Sequence, residues 1–221
     1  MAFSENKKIR LFVGPMSKEI VDCACEYSHQ KEIPLGLIPS RRQIEFTGGY
    51  VNNWKTSDFS KYVREKSGLL TLVRDHGGPW QGQIRDDGKK SFAEDMKNNF
   101  DILHVDPWKS VNDIESGIEK TVEIIRACCN QNDSIKFEIG TEESIFPYNP
   151  KEFKKIITEL EKRLGSLFPR VKYAVVQSGV RISGINNIGQ FNPSRLYKMT
   201  NICRDHGLIS KEHNGDYLTS K

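Results

Sequence analysis

The chain has 221 residues, a length that suits one large α/β domain, and its formal net charge is only +4. Apolar residues make up 37% and charged residues 28%, which is typical of a soluble globular protein. The charges are spread along the chain without a basic patch interleaved with aromatics, and no apolar stretch approaches the ~20 residues of a membrane span. We therefore exclude nucleic-acid-binding and membrane proteins, and we expect a single domain over residues 1–221.

Helix-like and strand-like segments alternate along this sequence. Helices are expected near 17–30, 57–66 and 88–99, with a longer one capped by Ser110 and two that begin at Asn149-Pro150 and Asn192-Pro193. Asparagine followed by proline is typical of a helix start, and Ser110 with Asp113 resembles a capping box. Strands are expected near 9–14, 34–39, 69–75, 101–106, 135–141, 172–178 and 207–213.

Short connections between these segments indicate parallel βα units. We therefore predict an α/β fold, a TIM-type (β/α) barrel, in which seven strands are recognised. A closed barrel of this type has eight strands. Either the last βα unit follows Lys221, or the barrel is open at one edge, where a partner could pair.

The tetrapeptide Arg-Asp-His-Gly occurs twice, at 74–77 and at 204–207. The first copy follows a strand and leads into Gly78-Pro79. The second copy ends a helix, where Gly207 suits the position just past the last turn. We therefore predict that the two copies have different roles.

The five cysteines bear on the cellular compartment. Their number is odd, they contain no C-x-x-C pair, and all fall in helical patterns: Cys23, Cys25, Cys128, Cys129 and Cys203. This pattern favours buried free thiols over disulfides or a zinc cage. The apolar run near the N-terminus is too short for a signal-peptide core, and we expect a cytoplasmic protein.

Polar side chains follow five consecutive strands at their carboxyl ends. They are Asp75 and His76, His104 and Asp106, Glu138 and Glu142, Gln177 and Ser178, and Glu212 and His213. This recurrence is expected at the catalytic face of a barrel. Imidazole and carboxylate groups that meet at one point are a ligand set for zinc or a similar divalent cation. Such a cation polarises a carbonyl while a nearby carboxylate moves a proton.

Several motifs together resemble a known family. In chain order they are GGY at 48–50, TSDF at 56–59, DHGGP at 75–79, HVD at 104–106, IGTE at 139–142, VVQSG at 175–179 and EHNGDY at 212–217. Their order is similar to that in the so-called non-catalytic subunit of class II tagatose-bisphosphate aldolase, a family that includes keto-sugar and uronate epimerases. The resemblance covers roughly residues 9–217 and implies a metal-aldolase barrel.

The resemblance also implies roles for individual residues. Two histidines and a glutamate would hold a divalent metal, expected to be zinc: His76, His213 and Glu138. Three carboxylates would complete the site or move protons: Asp75, Glu142 and Asp106. His104 and Asp106 are equally compatible with an interior hydrogen-bonded pair, and of these two we assign only Asp106 to the site. The predicted substrate-binding residues are Arg41, Arg42 and Gln43, which follow the second strand, and Gln177; a guanidinium there could clamp a phosphate or carboxylate.

These observations favour a metal-dependent sugar aldolase or 4-epimerase that uses retro-aldol chemistry on a phosphorylated or acidic ketose. The expected partner is a small-molecule sugar or sugar phosphate, in a homo-oligomer or a hetero-oligomer with a catalytic aldolase subunit. The alternative is a barrel subunit without chemistry of its own that stabilises a class II aldolase partner. Metal analysis separates the two, because a purely structural subunit needs no metal ligands.

Overall fold

Seven strands form one parallel sheet, in which the strands lie side by side in the order in which they occur along the chain. The computed structural model describes residues 11–178, 181–183, 186–188 and 191–213. The first six strands of the sheet are β1 (Phe12–Val13), β2 (Gly36–Leu37), β3 (Thr71–Gly77), β4 (Ile102–Val105), β5 (Lys136–Ile139) and β6 (Val171–Val176). A separate antiparallel hairpin follows, made of β7 (Arg181–Ser183) and β8 (Asn186–Ile188), and β9 (Ile209–Glu212) then completes the main sheet.

Helices connect the strands of this sheet. They are α1 (Lys18–Lys31), α2 (Thr56–Lys66), α3 (Lys89–Lys97), α4 (Ile114–Gln131), α5 (Pro150–Leu164) and α6 (Pro193–Asp205). The parallel sheet curls, and the predicted (β/α) barrel is confirmed as an open barrel: among the described residues no eighth strand joins the sheet. Within the same residues, no helix is long and apolar enough to cross a membrane.

Local capping sets several of the helix boundaries. The Asn149 side chain accepts hydrogen bonds from the backbone amides of Lys151 and Glu152 at the start of α5, and the Glu152 carboxylate accepts one from the Asn149 backbone amide, so the cap is reciprocal. The predicted start of α4 at Ser110 is wrong. Ser110 closes a short 3-10 turn and donates its hydroxyl to the Pro107 carbonyl at 2.7 Å, while Asp113 accepts from the Ser116 amide and caps the helix.

Strand parity separates the two apolar layers. Leu103 and Val105 belong to the large core between sheet and helices. Ile102, on the opposite face of the same strand, belongs to a smaller cluster with Val73 and Tyr173, against which Phe12 packs. The smaller cluster fills the barrel interior, so the interior positions further along the strands carry the polar groups.

The two copies of Arg-Asp-His-Gly lie in different structures, as predicted. Residues 74–77 end β3. Residues 204–207 begin in the last turn of α6 and end at Gly207, just past the helix, where φ is 70. In the second copy His206 pairs with Glu161 on α5 at 2.6 Å, outside the barrel. The five cysteines are free thiols, although the prediction that all are buried is wrong, because Cys23 is exposed and Cys129 only half-buried.

Candidate metal centre

Three histidines from three strands meet at the carboxyl end of the sheet. His76 lies near the end of β3, His104 is on β4, and His213 directly follows β9. The ring centroids of His76 and His104 are 5.3 Å apart, those of His76 and His213 5.5 Å, and those of His104 and His213 5.0 Å. The three rings thus form one compact imidazole cluster, although His76 and His213 are 137 positions apart in the sequence.

An unusual backbone conformation brings His76 into this cluster. Consecutive strand residues normally point to opposite faces, so Asp75 and His76 should diverge. His76 has φ 42, and the pairing of β3 with β4 shifts register between Arg74 and Gly77. This bulge lets both side chains reach the site. Non-glycine residues at positive φ are uncommon and are concentrated at functional sites.

Buried carboxylates hold the outer nitrogens of two of these rings. His76 Nδ1 lies 2.6 Å from Asp106 Oδ2, and His213 Nε2 lies 2.6 Å from Glu138 Oε1. Asp106 also accepts a hydrogen bond from the Thr141 hydroxyl at 3.0 Å. Such outer hydrogen bonds fix the tautomer and orientation of metal-binding histidines.

The third ring is oriented by backbone groups. His104 Nε2 is 3.0 Å from the Gly140 carbonyl, which can only accept, so Nε2 carries the hydrogen. His104 Nδ1 therefore has its lone pair free to accept, and the His76 amide donates to it at 3.2 Å. A metal ion would have to displace that amide to use His104, whereas the inner nitrogens of the other two rings face carboxylates.

The inner nitrogens of all three rings converge on one carboxylate oxygen. Asp75 Oδ1 lies 3.6 Å from His104 Nδ1, 3.6 Å from His213 Nδ1 and 3.9 Å from His76 Nε2. Glu142 Oε1 borders the same space, 2.8 Å from His76 Nε2 and 3.8 Å from His213 Nδ1. Asp75 Oδ1 is buried and has no hydrogen-bond partner among the described residues.

The charges of this cluster shift the pKa values of its members. Burial works to lower the pKa of His213, but the nearby carboxylates, Glu138 foremost, together outweigh it and raise that pKa to about 9. Burial also opposes a charge on His76, yet the surrounding carboxylates, Asp75 foremost, hold its pKa well above the usual value. The same attractions overcome burial at Asp75 and Glu142 and keep the pKa of each carboxyl well below its ordinary value. Both carboxyl groups are therefore ionised at neutral pH.

Three overlapping groups of these residues have ligand atoms close enough to hold one metal ion. They are Asp75, His76 and His104; His76, Glu142 and His213; and His104, Glu138 and His213. Within each group the ligand atoms lie within 4.8 Å of one another. Two ligand atoms bound at about 2.1 Å to a tetrahedral zinc ion are about 3.4 Å apart, close to the distances around Asp75 Oδ1.

The structure brings together six of the residues predicted for the metal and catalytic roles: Asp75, His76, Asp106, Glu138, Glu142 and His213. The sequence-based set omitted His104 and Lys211, which contacts Glu138. The strand parity that pairs His104 with Asp106 was the available signal for His104. Lys211 lies two residues before His213, and its part in the cluster depends on a contact with β5.

The predicted substrate-binding residues make their described contacts with residues other than those of this cluster. Arg41 is buried, and its guanidinium pairs with Glu45 at 2.5 Å and with Asp86 at 2.7 Å, which favours a structural role. Gln43 is also buried and accepts from the Ser40 amide at 2.7 Å, whereas Arg42 is exposed. Substrate binding by these residues stays a prediction.

Gln177 is engaged within the loops that follow β5 and β6. Its amide nitrogen donates to the carbonyls of Thr141 and Phe146, and its oxygen accepts from Arg195 at 2.8 Å and from the Tyr148 amide. These contacts use both ends of the side chain. They favour a role in holding the loops together over direct substrate binding.

No family model and no curated protein matches this sequence. Solved structures do match in fold. A probable tagatose 6 phosphate kinase from Sinorhizobium meliloti 1021 superposes with a TM-score of 0.75 at 20% identity, covering 96% of this chain and 60% of that one. A fructose-bisphosphate aldolase from Campylobacter jejuni gives 0.64 at 14% identity, with 95% and 65% coverage. A putative fructose-1,6-biphosphate aldolase from Coccidioides immitis gives 0.62 at 15%, with 95% and 66%.

The chain thus spans less than two thirds of the length of each of these three proteins. At these identities the likeness shows the fold, which is an aldolase-like TIM-type barrel. The resemblance to the tagatose-bisphosphate aldolase subunit family stays a prediction beyond that fold.

Proposed function

We propose that this protein is a divalent-metal-dependent sugar aldolase or 4-epimerase that acts by retro-aldol chemistry on a phosphorylated or acidic ketose. The observation that carries the proposal is the convergence of three imidazoles, oriented from outside, on the buried Oδ1 of Asp75. The aldolase-like fold adds support, because active sites of such barrels lie at the carboxyl ends of the strands.

The chemistry of the cluster fits a divalent cation. A buried carboxylate oxygen without a hydrogen-bond donor is costly, and a cation among the inner nitrogens would satisfy it. His76 and His213 would be the principal ligands, with oxygen from Asp75 or Glu142, and His104 could join by releasing the His76 amide. Imidazole with carboxylate suits zinc and similar transition metals.

Exposure divides the four carboxylates into two pairs with different roles. The side chains of Asp106 and Glu138 are 0% exposed and hold histidine rings, so we assign them an orienting role. Those of Asp75 and Glu142 are 17% and 16% exposed and border the mouth of the barrel. Because both are ionised, either could accept a proton from a bound substrate.

The proposed reaction begins when Asp75 or Glu142 removes the proton of the substrate hydroxyl that is β to the keto group, carried by the far carbon of the carbon–carbon bond to be cleaved. The carbon–carbon bond breaks as that oxygen becomes an aldehyde carbonyl, and the electron pair moves into the former keto group as an enediolate. A bound divalent cation would supply Lewis-acid stabilisation of the developing negative charge. An aldolase protonates the enediolate and releases both fragments, whereas a 4-epimerase lets the aldehyde turn and re-forms the bond on its other face.

Metal analysis of matched histidine variants tests this proposal. His76→Ala and His213→Ala are expected to lose a stoichiometric divalent metal that the wild type retains after dialysis. His206→Ala is the control, because it changes the histidine of the second Arg-Asp-His-Gly copy, outside the barrel. The loaded wild type should cleave or epimerise a ketose bisphosphate or a ketohexuronate, as followed by NMR of the sugar.

A folded wild type that binds no divalent metal, turns over neither ketose class and co-purifies with an aldolase would contradict an enzymatic role. It would support the non-catalytic subunit instead.

A further inference from the structure

Lys211 is a buried cation inside the barrel, below the histidine cluster. It lies on β9 and is only 7% exposed. Its Nζ is 2.5 Å from Glu138 Oε2, 4.3 Å from the centroid of the Phe12 ring and 5.9 Å from that of Tyr173. Lysine is almost never buried without a partner, and Glu138 provides the opposite charge.

Glu138 has both carboxylate oxygens engaged. Oε2 accepts from Lys211, and Oε1 lies 2.6 Å from His213 Nε2. The side chain is completely buried on β5. Each oxygen is therefore held by a neighbouring cation or ring, and His213 connects Glu138 to the point where the inner nitrogens converge, with its Nδ1 3.6 Å from Asp75 Oδ1.

We propose that Lys211 and Glu138 are positioning residues that present His213 Nδ1 to the metal, and that Glu138 is not itself a ligand. This inference rests on the metal centre of the proposed function. It replaces the sequence-based assignment of Glu138 to the metal with an orienting role, and it adds Lys211, which no motif indicated.

The physical reason lies in which atoms can donate. An ionised carboxylate only accepts hydrogen bonds, so His213 must carry its hydrogen on Nε2. Once the ring gives up its second proton to bind a metal, the lone pair is on Nδ1, the atom that faces the centre. Lys211 ties the second oxygen of Glu138 and prevents the carboxylate from rotating towards the metal.

A glutamine at position 138 creates a conflict between the two neighbours. Gln has one acceptor oxygen, and Lys211, as the cation, takes it. The NH₂ group then faces His213 Nε2 and favours the ring form with hydrogen on Nδ1, which cannot bind a metal. Removing the lysine charge frees the oxygen for His213, so Lys211→Met should relieve the defect that Glu138→Gln causes.

The experiment measures zinc dissociation constants by chelator competition for the wild type, Glu138→Gln, Lys211→Met and the double variant. Glu138→Gln is expected to weaken zinc binding by about 10–100-fold, the usual effect of losing an outer-shell partner. In the Lys211→Met background the same change should weaken binding by no more than a few-fold. The control is the exposed pair on α2, Lys61→Met with Glu65→Gln, which should change nothing.

Equal losses in both backgrounds, or an unchanged affinity in Glu138→Gln, would overturn the inference. Thermal melts of each variant verify folding, and Lys211→Arg, which keeps the charge, should retain wild-type affinity.

A second measurement does not depend on metal binding and separates this inference from the proposed function. NMR of ¹⁵N-histidine-labelled, metal-free protein should show a low-field hydrogen on His213 Nε2, bonded to Glu138. That signal should disappear in Glu138→Gln and return in the double variant. A wild type without it refutes the positioning role, even if zinc binds; a wild type that has it but binds no zinc refutes only the metal centre.

Discussion

Asp95→Ala is expected to destabilise the protein by about 3–5 kcal/mol, the cost of leaving one charge of a buried ion pair without its partner. Arg74 and Asp95 are both completely buried, and the guanidinium donates to the two carboxylate oxygens at 2.8 and 2.5 Å. Arg74 also donates to the carbonyls of Pro39 and Ile44, and so ties β3 to the loop that follows β2. Arg74 is therefore buried as part of a hydrogen-bonded network, and it directly precedes Asp75 in the sequence.

Arg74→Met should destabilise the protein less than Asp95→Ala, because the charge that each variant leaves unpaired differs in whether it can be neutralised. Arginine cannot be deprotonated in a protein, whereas burial already raises the pKa of Asp95, and an unpaired Asp95 can take up a proton. A carboxyl whose folded pKa exceeds its unfolded value of about 3.9 favours the folded state at low pH. The stability of Arg74→Met should thus fall as pH rises from about 4 through the raised folded pKa, by up to about 1.4 kcal/mol per pH unit.

Urea denaturation from pH 4 to 8, followed by circular dichroism, measures both effects. Glu115→Ala is the matched control, because it breaks the exposed pair with Arg163 and should leave the unfolding free energy unchanged within error. A loss below about 1 kcal/mol for Asp95→Ala, or a pH dependence of Arg74→Met identical to that of Asp95→Ala, would refute this account of the buried pair.

Three further predictions concern metal binding and local geometry. Because His213 has a pKa of about 9, zinc must displace its proton at pH 7. The apparent affinity for zinc should therefore rise about tenfold per pH unit for each proton released. Calorimetry in two buffers of different ionisation enthalpy measures the number of protons released. Gly77→Ala should lower the unfolding free energy by about 1–3 kcal/mol, because the added Cβ would lie 2.7 Å from the His104 carbonyl oxygen. Gly68→Ala is the control: a Cβ at Gly68 meets no atom within 4 Å, so this variant should not destabilise the protein. Asn149→Ala removes the cap of α5 and should cost about 1 kcal/mol in urea denaturation, and an unchanged midpoint would contradict the capping role.

The sequence predicted the barrel and much of its polar mouth, because those features follow from short-range patterns. Strand parity alone places His104 and Asp106 on the interior face and Leu103 against the helices. It could not predict that His76 joins Asp75 on the same side, since that depends on a positive φ and a register shift against β4. A bulge depends on how two strands pair, and no pattern within one strand determines it.

The roles within the cluster depended even more on tertiary structure. Glu138 and Glu142 have the same chemistry in sequence, but Glu138 is enclosed between Lys211 and His213, while Glu142 borders the mouth. Arg41 suits an anion clamp by its position after β2, yet its guanidinium is engaged by Glu45 and Asp86. Each assignment depends on contacts between strands and loops that are distant along the chain.

The two copies of Arg-Asp-His-Gly differ both in features that the sequence determines and in features that only the tertiary structure decides. The sequence by itself determined that one copy ends a strand and the other a helix, because the neighbouring apolar periodicity and the glycine positions are local signals. Only the tertiary structure decided that His76 faces two other imidazoles while His206 pairs with Glu161 outside the barrel. Parallel strands bring their carboxyl ends to one edge of the sheet whatever their separation in sequence, and that convergence is what turns separate histidines into a candidate metal centre.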